Sequence, residues 1–115
     1  MRQVDDTISL NELREMAERM FGTFVKADVD IARGLMVVDA ELHADIEAKM
    51  LESGSAQEDL WGINLYPDQY GTDEFIEFDS MINIRPSQKN FSRYIEDSEV
   101  RQVITELVSK KVINE

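Results

Sequence analysis

The chain has 115 residues, 43% of them apolar, with 24 acidic against 12 basic side chains, one histidine, no cysteine and a formal net charge of −12. That length suits one compact domain burying roughly two thirds of the surface its unfolded chain exposes, and the apolar content argues against wholesale disorder. The missing cysteines exclude disulfides, thiolate metal sites and cysteine nucleophiles, no apolar run approaches the roughly 18 residues of a membrane span, and the acidic balance disfavours general nucleic-acid binding, which relies on a basic footprint.

Residues 1–8 carry no signal-peptide pattern, so the cytoplasm is the expected compartment, and they are expected to form a mobile tail. Ser9 and Glu12 make a capping box, and Leu10, Leu13, Ala17, Met20 and Phe21 follow at helical spacing, with Gly22 as the stop. Phe24 to Asp30 alternates, with Val25, Ala27 and Val29 on one face and Lys26, Asp28 and Asp30 on the other, which predicts a half-buried strand. Ala32, Arg33 and Gly34 fit a tight turn into a second strand, Leu35 to Val38. A helix is predicted over about residues 42–52, opened near Asp39 or Glu41 and stopped at Gly54. Leu60 to Tyr66 reads as a strand with Trp61, Ile63 and Leu65 in phase, and 67–73 as a polar turn. Phe75 to Ile84 is apolar and strand-like, but its alternation breaks near Asp79 and Ser80, which predicts a bulge or burial on both faces. Pro86 ends that strand, 87–95 is a loop, and Asp97 or Ser98 caps a last helix with the stripe Val100, Val103, Ile104, Leu107 and Val108. The order α-ββ-α-ββ-α predicts an α+β fold: a mainly antiparallel sheet of about four strands in two hairpins, covered by amphipathic helices.

The acidity is uneven. Residues 1–79 carry 19 acids and 6 bases, whereas residues 80–95 carry no acid and three bases, Arg85, Lys89 and Arg93. Arginine offers a planar fork for carboxylate or phosphate, and Ser87, Gln88 and Asn90 add neutral hydrogen-bonding groups. The segment 84–94 is therefore a candidate anion-binding loop built on Arg85, Ser87, Gln88, Lys89, Asn90 and Arg93. The plainer alternative is a surface loop whose arginines pair with acids elsewhere.

His43 is the single histidine, flanked by Glu41 and Asp45. Together with Asp39 from the preceding strand end, Glu41 and His43 form a weak candidate site for a divalent cation. Against it, neither a two-histidine helix motif nor a calcium-loop spacing is present, and a solvated acidic face accounts for the same residues. Asn64 and Tyr66 share the strand face opposite Trp61 and, with Glu77 and Asp79, could line a polar concave surface. No other cofactor is implied.

Three blocks carry a resemblance to a known family: Glu41-Leu42-His43-Ala44-Asp45, Gln57-Glu58-Asp59-Leu60-Trp61-Gly62-Ile63-Asn64, and Ile76-Glu77-Phe78-Asp79-Ser80 running into Ile84-Arg85-Pro86-Ser87-Gln88. From about Phe24 onward the chain resembles a family of small prokaryotic single-domain proteins of unknown function, which implies one freestanding domain and names no reaction. Three functions stay in play. The first, and the favoured one, is a non-enzymatic binding or regulatory module for a protein or a small anionic ligand. The second is a small hydrolase or transferase acting on a phosphate- or carboxylate-bearing molecule, with His43 as acid/base and Arg85 as clamp, which requires the two to meet in space. The third is a homo-oligomer.

Overall fold

A computed structural model describes all 115 residues. The architecture is α+β. Three helices, α1 (Leu10–Arg19), α2 (His43–Glu52) and α3 (Ser98–Lys111), pack on a five-stranded antiparallel sheet. The strands are β1 (Arg2–Gln3), β3 (Val25–Asp30), β4 (Leu35–Val38), β5 (Leu60–Leu65) and β6 (Ile76–Glu77), in the order β1-β4-β3-β5-β6. A separate parallel pair, β2 (Ile8–Ser9) with β7 (Val112–Ile113), ties the chain ends together. The two hairpins join through β3 and β5, in the register Val25 to Leu65 through Asp30 to Leu60.

Local signals explain most of these elements. Ser9 and Glu12 form the expected capping box on α1, and Asp97 caps α3 by accepting from the Glu99 N–H. Gly34 takes φ +66° at the β3–β4 turn, a region that L-residues avoid. Helix α2 begins one residue later than expected, with Leu42 at the cap position and no side chain capping it.

Three expectations need correction. Residues 1–8 are not a tail: β1 pairs with β4, and Val4 and Ile8 are buried in the main core. The stretch 75–84 is not a bulged strand: only Ile76–Glu77 pairs with β5, and Met81–Asn83 turns as a short 3-10 helix because the Ser80 hydroxyl accepts from the Ile82 N–H. The polar side of β3 is not solvated: Asp28 and Asp30 are fully buried.

The sheet has two unlike faces. One carries Val25, Ala27 and Val29 from β3 with Trp61, Ile63 and Leu65 from β5, and forms the main core with α1 and α3 through Leu13, Ala17, Ile104 and Val108. On the other face, α2 holds on through a small apolar cluster of Val37, Ile46, Met50 and Leu60. The rest of that face is Lys26, Asp28 and Asp30 beside Gly62 and Asn64.

Candidate functional site

Segment 79–94 folds over the second face as an irregular hairpin. Antiparallel bridges tie Asp79 to Tyr94 and Arg85 to Asn90. Backbone bonds Arg85 N–H to Asn90 O at 2.8 Å and Asn90 N–H to Arg85 O at 3.1 Å close its tip, where Lys89 takes a left-handed φ of +60°.

Polar side chains fasten this hairpin to the sheet. Beyond Glu77 the chain leaves β5, so the outer edge of β5 has no strand partner at residues 60–63. Asn83 substitutes for one. Its Oδ1 accepts from the Gly62 N–H at 2.8 Å, and its Nδ2 donates to the Gly62 carbonyl at 2.9 Å. Gly62 is required here for space, because a Cβ would come within 2.6 Å of the Ser80 side chain. Asn90 holds the two arms together, its Nδ2 facing the carbonyls of Asn83, Ser92 and Tyr94 at 2.8, 3.0 and 2.9 Å, while its Oδ1 accepts from the Glu96 N–H.

Arg85 is the third fastening. Its fork turns inward, stacks over the Trp61 ring at 4.1 Å, and donates to the carbonyls of Gln57 and Leu60. Only 8% of the residue is exposed. Burial depresses its pKa, and Glu47 and Asp59 nearby oppose that shift. The guanidinium that the sequence pointed at solvent thus acts as a clasp between the hairpin and the start of β5.

The other candidate loop residues scatter. Arg93 forms a two-point pair with Asp79, both contacts at 3.0 Å. Gln88 donates to the Glu58 carbonyl at 3.0 Å. Ser87 and Lys89 are exposed, and neither side chain makes a hydrogen bond. The six residues therefore do not converge on one solvent-facing centre.

Nor do the three metal candidates. His43 is buried, and its Nε2 lies 2.9 Å from the Ile63 carbonyl. A carbonyl only accepts, so Nε2 carries the proton. Asp39 pairs with Arg19 at 3.5 Å, and Glu41 is exposed, its backbone carbonyl accepting from Lys26 Nζ. No group of three or more His, Asp or Glu is placed to hold a metal ion.

The structure instead brings His43 and Arg93 to one cleft of about 280 Å³ between the start of α2 and residues 77–82. The buried Asn64 lies at its base, the half-buried Lys26 on its wall, and the exposed Leu42 and Met81 at its mouth. Asn64 Nδ2 donates to Glu77 at 2.8 Å and to the Asp79 carbonyl at 3.1 Å, and the Tyr66 hydroxyl reaches the same Glu77 oxygen at 3.1 Å. This is the polar surface suggested by the alternation of β5. Burial lowers the His43 pKa, with the Lys26 charge adding to the effect and the Ile63 hydrogen bond opposing it, so the ring is neutral.

One group expected on the solvated side of β3 is buried instead. Asp28 has no exposed surface and neither carboxylate oxygen has a partner. Burial, with Glu47 adding repulsion, pushes its pKa up to about 9, so it is a neutral acid at physiological pH. The signal was its alternation with Lys26 and Asp30, which carries no mark of what covers that face.

The hairpin's outward side is the reverse of its inner one. Met81 (65% exposed), Phe91 (66%), Tyr94 (49%) and Ile84 (40%) face solvent, while Ser80, Asn83, Arg85 and Asn90 are buried. A model of a family described as "protein of unknown function (DUF5674)" matches residues 2–111. The chain belongs to this family. No similarity to a curated protein or to a solved structure accompanies that match. No helix is long and apolar enough to cross a membrane.

Proposed function

We propose that this member of the family is a non-enzymatic binding module that docks a partner protein through the outer side of the 79–94 hairpin. The observation carrying this reading is the hairpin's inverted polarity. Folding alone is served by putting large apolar side chains inside and amides outside. Here four large apolar residues stand in water while two amides, a hydroxyl and a guanidinium fill the interior. The interior polar groups are nearly all hydrogen-bonded, so they give the hairpin a fixed shape. Fixing the shape beforehand lowers the ordering cost of association, and exposed apolar groups on a rigid support are what docking surfaces offer.

The test is differential capture. Immobilised wild-type chain and a Met81→Ser/Phe91→Ser variant would be exposed to the same extract of the source cells. The reading expects a protein retained by the wild type and lost by a variant of unchanged melting temperature. A variant that retains the same set as the wild type refutes it.

The meeting of His43 and Arg93 at one cleft favours a second reading, a site for a small carboxylate- or phosphate-bearing ligand beside Lys26 and Arg93. Such a ligand would raise the melting temperature saturably, because it binds the folded chain alone. A hydrolase built on His43 with Arg85 as its clamp has less support: Arg85 lies against Trp61, and the proton on His43 Nε2 is held by a backbone carbonyl.

A further inference from the structure

We infer that the partner of the hairpin is a second copy of this chain, docked hairpin to hairpin about a two-fold axis; this rests on the docking role proposed above and names its occupant. The argument is one of charge. The chain carries −12 overall, so two copies meeting through most of their surface would set carboxylates against carboxylates. Residues 80–95 are the longest departure from that pattern, with three bases and no acid.

The structure reduces even the positive excess there. Arg85 is turned inward, Arg93 is neutralised by Asp79 at 3.0 Å, and the Glu96 carboxylate sits under the tip, accepting from the backbone N–H groups of Phe91 and Ser92 at 2.7 and 3.0 Å. What points outward is rich in large apolar side chains and, with the exposed Lys89 offset by the Glu96 carboxylate, close to neutral. A near-neutral apolar face is self-complementary: it can meet its own copy without placing like charges in contact. The same face against the acidic remainder of another copy would strip water from carboxylates that gain no partner, which is costly. Two-fold pairing also sets the two acidic bodies on opposite sides of the interface, where solvent and salt screen them.

Sedimentation velocity on the full chain tests this over roughly 5 to 500 µM, at low and at physiological salt. The inference expects a concentration-dependent monomer–dimer equilibrium that salt strengthens, because screening relieves the residual repulsion. Met81→Ser/Phe91→Ser should weaken it roughly thirtyfold or more, equivalent to about 2 kcal/mol at 1.4 kcal/mol per decade. Val103→Ser, at another exposed apolar residue on α3, should leave it unchanged. Because the chain has no cysteine, Ser92→Cys places a single thiol on the hairpin, and oxidation should trap a covalent dimer of the wild-type hydrodynamic size. A wild type that stays monomeric up to 500 µM overturns the second copy as partner and leaves hairpin docking to be judged by the capture experiment. A dimer that survives the double substitution places the self-interface off the hairpin and overturns the inference.

Discussion

The two faces of the β3–β5 pair are built from the same two strands by opposite means. On the α1/α3 side, every in-phase residue is apolar, and cohesion comes from close packing. On the α2 and hairpin side, only the Val37, Ile46, Met50 and Leu60 cluster is of that kind. The remainder is held by Asn83 on Gly62, Asn90 across the hairpin and Arg85 on the carbonyls of Gln57 and Leu60, over an unpaired Asp28. Apolar packing is tolerant of exchange, whereas hydrogen bonds fix direction and register. The first face supplies stability. The second sets the position of a hairpin whose outer side is exposed.

The sharpest test of that contrast compares one residue from each face. Ile63→Ala leaves a void in the main core and should cost about 2–5 kcal/mol. Asn83→Ala removes far less apolar surface, yet it strands the Gly62 N–H and carbonyl in a buried edge. Each unsatisfied group costs about 1–3 kcal/mol, so a loss of similar size is expected by urea titration. Near-neutrality of Asn83→Ala would mean that water replaces the amide and that the hairpin is loosely held.

Asp28 should move stability in the other direction. Its carboxyl keeps a proton in the folded chain up to about pH 9, while the unfolded chain releases that proton near pH 4. The folded state therefore binds the extra proton between those values, and stability falls as pH rises through that window, with the penalty absent below it and complete above it. Asp28→Val should abolish this slope and stabilise the fold by about 1–4 kcal/mol at neutral pH, as replacement of buried ionisable groups by apolar ones commonly does. Chemical denaturation of both chains from pH 4 to pH 9 should show a gap that widens with pH. A gap that does not change would place a stabilising partner on Asp28 in solution.

A smaller effect separates the clasp from a ligand site. Arg85→Lys keeps the charge but loses the planar fork that spans the carbonyls of Gln57 and Leu60 and stacks on Trp61. It should destabilise the fold by about 1–3 kcal/mol through lost and unsatisfied hydrogen bonds. Arg93→Lys, at an exposed pair, should cost about 0–1 kcal/mol. Equal, negligible losses would return Arg85 to solvent and to the role of an anion clamp.

What could be read from the chain alone divides along the same line as the two faces. Periodicity reports one-sided burial, and it located α1, α3, β3, β4 and β5 with boundaries within a residue or two, along with the cap at Ser9. The same rule placed Lys26, Asp28 and Asp30 in water, because alternation cannot report a second layer of helix lying over a polar face. The acid-free stretch 80–95 was conspicuous by composition. Its inversion was not, because whether Arg85 or Phe91 points inward depends on Asn83 bonding to Gly62, a contact between residues 21 apart. Val4 and Ile8 escaped notice for a similar reason: two-residue strands carry too little pattern to stand out, and their partners are β4 and the end of the chain. Asn64, Glu77 and Asp79 of the cleft, with Tyr66 beside them on Glu77, were legible as a group, whereas the meeting of His43 with Arg93 was set by the path of the hairpin.

The smallest expected effect concerns the other titrating group on the polar face, which works against Asp28. His43 is buried and neutral, and burial holds its pKa below the ordinary imidazole value. The unfolded chain takes up a proton near pH 6.5 that the folded chain refuses. Stability from this residue is therefore complete above that pH and is lost as pH falls through it toward the lower folded value. Asp28 gains over the same descent, so near pH 6 the two groups on one face oppose each other. His43→Gln retains a neutral N–H donor for the Ile63 carbonyl and removes the titration. Urea titrations at pH 7.5 and pH 5.5 should show the wild type losing stability relative to His43→Gln on acidification, and combining the substitution with Asp28→Val isolates the histidine. Parallel behaviour of the two chains would mean that His43 takes a proton in place, which requires the cleft to admit a counter-charge and would make it the ionised centre of the anion site.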